Sequence, residues 1–252
     1  MEQLTSTPAD NPLPEIAYLA QRYRRAGGPL VALMNRLGGR IEAQMAVLPP
    51  GVQRQIEAVV TQALRQGYAV AAVGRRAPRL GRHAAPLMAA ISGAAGGAGG
   101  LATSVAELPL TVTLILHAIR RAAEDEGFDP DADDIRAECL RVFAAGSPLA
   151  SDDGVNTAFL GARMTVTGPA LQRLIATLAP RVATSLGQKL AAQAVPILGA
   201  VSGAALNAAY MSYYRELAQI RFAMLRLAQT HGEEQVLAEF QKAATPKPMF
   251  KA

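Results

Sequence analysis

Tryptophan is absent from this chain, aromatic residues make up only 5% of it, and there is a single cysteine. One cysteine excludes an internal disulfide and a thiolate metal cluster. Cys139 falls at helical spacing with Ile135, Val142 and Phe143, which predicts a core position rather than a nucleophile. The histidines are as sparse. His83, His117 and His231 show neither H-x-x-x-H nor H-E-x-x-H spacing, and no Gly-x-Ser-x-Gly turn accompanies them, so zinc-hydrolase and serine-hydrolase chemistry lack support. No run of alternating apolar residues bounded by turn dipeptides occurs, and no strand is predicted. The opening MEQLTSTPADNPLPE has no basic n-region and no apolar h-region, which excludes a secretory signal there and leads us to expect a bacterial cytoplasmic protein.

What the chain has instead is small apolar residues. About half of its 252 residues are hydrophobic, enough for one sizeable core, and with few rings the burial must come from close helix packing. The expected fold is all-α, a multi-helix bundle with central Gly/Ala-rich apolar helices. An N-terminal helical segment with a basic face (residues 1–83) leads into a helical core (residues 84–245), the two forming one continuous domain. Val52, Ile56, Val59, Val60, Ala63 and Leu64 make one apolar stripe, with Arg54 and Arg65 away from it. Leu108, Val112, Ile115 and Ile119 make another, which Leu110, Leu114 and Leu116 widen around the circumference, so this helix should be the central one. Leu171, Leu174, Leu178, Val182, Leu186 and Leu190 line a long helix interrupted or kinked at Pro180. Tyr210, Tyr214, Leu217, Ile220, Met224 and Leu227 line the last long helix, which His231 and Gly232 end.

Charge is distributed in blocks. Residues 1–83 carry a net +6, residues 101–160 a net −7, and residues 161–252 a net +6. An uncharged segment lies at each crossing, about 84–106 and about 191–214, the layout expected of two membrane spans with both ends inside. Each segment exceeds the roughly 20 residues needed to cross a bilayer core. Their content points the other way: the first is dominated by Ala and Gly and contains Pro86, and the second contains Gln193, Pro196 and Asn207. Buried core is the favoured reading and membrane insertion the alternative. In either case Gly93 with Gly97, Gly96 with Gly100, and Gly199 with Gly203 are four apart and would let helix backbones approach closely.

Several motifs lose force in context. The run from Gly93 to Gly100 has no following Lys-Ser/Thr, so it is not a phosphate loop. Asp129, Asp131 and Asp133 alternate as in a calcium loop, but Asp134 stands where Gly is needed and Leu140 where Glu is needed. Asp131 or Asp133 is better read as the cap of a helix starting near Ile135. No metal and no cofactor is expected. Glu107 is the only acid between Glu57 and Glu124; with Pro109 in a first helical turn, its carboxylate would accept orphan amides at a helix start. Asn207 would bond a neighbouring helix or Glu107 itself. A structural polar contact is the preferred role for the pair, ahead of a buried ion or proton site. Arg75, Arg76, Arg79 and Arg82 abut the first uncharged segment. The cluster has no interleaved aromatics and matches no groove-reading motif, so anionic headgroups fit it better than nucleic acid.

The segment ELPLTVTLILHAIRRAAEDEGFDP (residues 107–130), the following DPDADDIRAECLRVFAAG (residues 129–146) and VPILGAVSGAALNAAY (residues 195–210) together resemble the EcsC family over most of residues 85–230. The resemblance implies an activity that is unresolved and a genetic association with an ABC transporter; it also implies Asp more often than Glu at position 107. The expected function is a non-enzymatic accessory or interaction protein at the inner face of the cytoplasmic membrane, linked to transport or secretion, with anionic lipid or a membrane transporter as partner and no nucleic acid. It would be cytoplasmic, peripheral to the membrane or partly inserted in it. The alternatives are a carrier or sequestering module for a lipid or other apolar ligand, and a hydrolase using Glu107.

Overall fold

The apolar stripes of the sequence become the facing surfaces of a helical bundle. The computed structural model describes residues 11–26, 50–73, 100–145, 168–193 and 199–245. Among these are seven helices and no strand: α1 (Leu13–Arg25), α2 (Pro50–Val73), α3 (Gly100–Asp125), α4 (Asp133–Ala144), α5 (Gly168–Gln193), α6 (Gly199–His231) and α7 (Glu233–Ala244). The fold is an all-α bundle.

The main core is built around α3. Leu108, Val112, Ile115, Leu116 and Ile119 are buried there, and α2 brings Ile56, Val60 and Leu64 to them. Leu178, Val182, Leu186 and Leu190 of α5 and Tyr210, Tyr214 and Leu217 of α6 close the other sides. Cys139 is buried in the same core, on α4. Phe143 and Tyr214 meet edge to face, with ring centroids 5.0 Å apart. A second, smaller cluster joins Ile16 and Leu19 of α1 to Val236 and Phe240 of α7, across Ile220, Met224 and Leu227 of α6. α6 is therefore a shared wall between two apolar clusters.

Two contacts fix the direction of α3 against α6. Near their starts Asn207 bonds Glu107; near the far end of α3, Arg226 bonds Glu126, 2.7 Å away. Both pairs are separated by 100 residues, so the two helices run parallel. α5 runs back alongside them. Ser185 meets Tyr210 and Tyr214, and Lys189, one turn further on, comes within electrostatic reach of Glu107. The start of α3, the end of α5 and the start of α6 therefore share one end of the bundle.

Four local expectations change. α3 begins at Gly100, so Pro109 lies well inside the helix and Glu107 does not cap its start. α5 likewise runs unbroken through Pro180. Both prolines face solvent, where a missing amide costs least, and each carbonyl receives the hydroxyl of the threonine four residues on: Thr113 to Pro109 at 2.8 Å and Thr184 to Pro180 at 3.0 Å. Leu110 is 50% exposed, so the apolar face of α3 is narrower than its composition suggests. Finally, neither Asp131 nor Asp133 caps α4, whose N-cap is Ala132 with no side-chain bond. Arg120, buried on α3, reaches across to Asp131 at 2.7 Å and to the Pro130 carbonyl at 3.0 Å, and this draws the Asp131 carboxylate away from the helix start.

Helix ends follow glycine where a left-handed residue is required. Gly127 (φ 84°) lets the amide of Phe128 fold back onto the Ala123 carbonyl at 2.9 Å, and Gly232 (φ 87°) separates α6 from α7. Among the described residues no helix is long and apolar enough to cross a membrane.

Candidate functional site

At the end where α3 and α6 start and α5 finishes, three helices turn polar side chains into an otherwise apolar contact. Glu107 and Thr111 lie one turn apart on α3, Lys189 is on α5 and Asn207 is on α6. Thr111, Lys189 and Asn207 are buried and Glu107 is half-buried. The Asn207 side-chain amide donates to Glu107 Oε1 at 2.5 Å, which joins α3 to α6. The contact agrees with one of the two partners considered for Asn207, and the structure replaces the helix-capping role considered for Glu107 with an interhelical one. Pro109 lies exposed on the opposite side of the helix and takes no part.

Lys189 is the unusual member. Its side chain is 0% exposed, and its Nζ has no hydrogen-bond partner among the described residues. The hydroxyl of Thr111 is buried and in the same position. Burial pushes the Lys189 ammonium down to about 8, because a charge far from water is disfavoured; the Glu107 carboxylate acts in the opposite direction and holds part of the charge in place. One turn back on α5, Ser185 continues the polar line. Its hydroxyl lies 3.0 Å from the Tyr214 hydroxyl, and its carbonyl accepts from Tyr210 at 3.0 Å. Burial raises the Tyr214 phenol well above its ordinary range, with the Ser185 hydrogen bond opposing, so this hydroxyl stays neutral.

A second polar contact in the interior is of another kind. Arg221 of α6 donates twice to Glu138 Oε2, at 3.0 and 2.8 Å, and Arg141 donates to Glu138 Oε1. Both Arg221 and Glu138 are only 3% exposed. Each of these groups finds its counter-charge, which marks the cluster as a structural tie between α4 and α6.

Lys189 was not singled out in the sequence, although a signal existed. It stands seven residues after Val182 and three after Leu186, on the apolar stripe of α5, where a lysine has no ordinary place. Thr111 likewise sits three residues after Leu108. Of the other candidate positions, Gly100 and Gly199 open α3 and α6 and Gly203 lies within α6, but what packs on them falls outside the described residues. Gly93, Gly96 and Gly97 also lie outside them, as do Arg75, Arg76, Arg79 and Arg82. Among the described residues no group of His, Cys, Asp and Glu is placed to hold a metal ion.

No curated protein and no solved structure matches the chain. The family model of the EcsC protein family matches residues 76–227, which takes in all of α3, α4 and α5, most of α6 and every member of the polar cluster, and leaves out α1, α2 and α7. A match over more than half of the chain, centred on the helices that build the main core, shows that this protein belongs to the EcsC family.

Proposed function

We propose that this EcsC-family chain is a non-enzymatic accessory protein that works at the inner face of the cytoplasmic membrane in connection with transport or secretion. The observation that supports this most is the convergence of the two uncharged stretches. One leads into α3 at Gly100 and the other links Gln193 of α5 to Gly199 of α6, and these three helix ends share one end of the bundle. Four arginines, Arg75, Arg76, Arg79 and Arg82, immediately precede the first uncharged stretch in sequence. A basic cluster followed by apolar chain suits an anionic bilayer surface, where each arginine contributes about 1 kcal/mol. The Asn207–Glu107 and Arg221–Glu138 contacts tie helices together, which suits a scaffold.

Cosedimentation with vesicles tests the reading. The native chain should pellet with phosphatidylglycerol vesicles and remain in the supernatant with phosphatidylcholine vesicles. Replacing the four arginines with Gln, or raising salt to about 0.5 M, which shortens electrostatic reach to a few ångströms, should release it. Unchanged pelleting under both treatments would overturn an electrostatic attachment.

A further inference from the structure

After Gly232 the chain folds back, so that α7 lies along α6, and α1 fills the groove between the two. Three residues of α1 are buried, Ile16, Leu19 and Ala20, at the spacing of one helix face. They pack on the α6 row of Ile220, Met224 and Leu227, and none of the three belongs to the main core. The contacts beside this apolar strip are polar and specific. Arg22 donates from Nε to Glu216 Oε1 at 2.6 Å, and from Nη2 to Glu216 Oε2 at 2.8 Å and to Gln219 at 2.6 Å. Towards the other end of α1, Glu15 accepts from Arg226, so α1 runs antiparallel to α6. An apolar strip seated in a groove, with matched charges along its edges, is how one protein holds the amphipathic helix of another.

We propose that the α6–α7 groove is a receiving site for an amphipathic helix, and that in an assembled state its occupant is α1 of a second copy of this chain. The helix whose fit to the groove is shown is α1 itself, down to the forked contact of Arg22 with Glu216. Each copy carries one groove and one α1, so reciprocal exchange satisfies both and closes at two copies. Two features let α1 leave its own groove. Its hold is small, three buried side chains and half-exposed ion pairs, so it opens at far less cost than the main core. Its tether is long: residues 26–49, which join it to α2, reach on the order of 80 Å when extended. α7 has no such freedom, because Gly232 alone separates it from α6.

When α1 leaves, part of the α6 row is bared, and an apolar strip of that kind needs a cover. In a single chain the tether keeps α1 near its own groove at a concentration of about 1 mM, so the closed monomer prevails at micromolar protein. The exchanged dimer makes the same contacts twice. It gains as the protein concentration nears that figure, or when docking within one chain is weakened and docking between chains is not. The assembly needs no bilayer, so it stands apart from vesicle attachment.

Charge reversal in two separate full-length chains tests the exchange. Arg22→Glu sets a carboxylate against Glu216, and Glu216→Arg sets a guanidinium against Arg22. Each variant alone suffers this clash whether α1 docks in its own groove or in that of an identical copy. In a one-to-one mixture, the reversed α1 of the first chain meets the reversed groove of the second, and the native α1 of the second meets the native groove of the first. Sedimentation equilibrium should show each variant as a monomer and the mixture as a dimer, associating at least about tenfold more strongly than either variant with itself. The chain carrying both reversals regains its pair internally and should sediment as the native monomer. A mixture that sediments like its separate components would overturn the exchange. If either variant does not fold, the native chain carries the test: its average mass should rise towards that of a dimer as its concentration approaches about 1 mM, and a mass that stays monomeric there would refute the proposal.

Discussion

At the α4–α6 contact Arg221 is buried against Glu138, which also receives Arg141; at the α3–α5–α6 contact Lys189 is buried at least as deeply and makes no hydrogen bond among the described residues. Two cations in one bundle thus have opposite surroundings, and the difference follows from their chemistry. A guanidinium stays charged at any pH that a fold survives, so a buried arginine must be given its anion. An ammonium can shed its proton, and burial, opposed by the Glu107 carboxylate, brings Lys189 to about 8. Of these two side chains, only lysine can hold a neutral amine in place of an uncompensated charge. The first contact is closed and holds two helices together; the second is able to give up its charge.

Removing the anion from the closed contact should have the largest effect. Glu138→Ala takes from Arg221 the carboxylate it bonds twice, and leaves a buried guanidinium without it, which should cost about 3–5 kcal/mol in a denaturant titration. A loss below about 1 kcal/mol would place Arg221 in contact with water and remove the contrast.

The next effect is a rise in stability with pH that depends on Lys189. Its proton affinity is lower in the folded chain than in the unfolded one, where the ammonium titrates at 10.5. Below about 8 both states hold the proton, and the folded state carries the full burden of a buried charge. Between about 8 and 10.5 the unfolded chain keeps its proton and the folded chain does not, so raising the pH favours folding, by up to about 3 kcal/mol. Tyr214 acts in the reverse sense at the upper end, because its phenol keeps its proton in the fold after the unfolded chain has lost it near 10.0. Denaturation midpoints from pH 7 to 10 should climb for the native chain and stay level for Lys189→Met, which should also be the more stable protein at pH 7. Parallel curves for the two chains would contradict this account.

The smallest effect concerns the link between the regions of charge. Glu107→Gln leaves a group that still accepts from Asn207 and withdraws the carboxylate that supports the Lys189 ammonium. Stability should fall by about 0.5–2 kcal/mol, and Glu107→Asp should be better tolerated than Glu107→Leu, which leaves the Asn207 amide without its acceptor. Thermal melts of the three variants rank them.

How much of this was legible in the sequence follows from what periodicity can express. The stripes on α2, α5 and α6 reappear as buried faces because burial selects apolar side chains at helical spacing whatever the partner. Cys139 and the stop at Gly232 were readable for the same reason: one shares the stripe's spacing and the other is the residue that a left-handed turn requires. The start of α3 was misplaced because Pro109 reads as a first-turn residue, whereas the fold accommodates it on a solvent-facing side. Asp131 was assigned to a local cap because a sequence shows near neighbours; its partner Arg120 lies 11 residues back, on another helix. The polar cluster was half visible. Glu107 and Asn207 stand out in uncharged surroundings, while Lys189 is hidden by the assumption that a lysine in a helix points outward, and only its place on the Val182–Leu186 stripe betrays it.

The parallel course of α3 and α6 also governs the order in which the chain can fold. Each of the two contacts that align them closes a loop of 100 residues, and such long-range closures come late, after the local pairs that α3 makes with α4 and α6 makes with α7. On the ribosome α3 emerges well before α6, so the buried row from Leu108 to Ile119 must wait for the wall that will cover it. During that interval α2, already synthesised and packed against α3 in the finished bundle, is the element able to shield it. Weakening the α2 stripe at Ile56 or Val60 should therefore show itself first as aggregation during synthesis, and only second as a lower melting temperature of the finished protein.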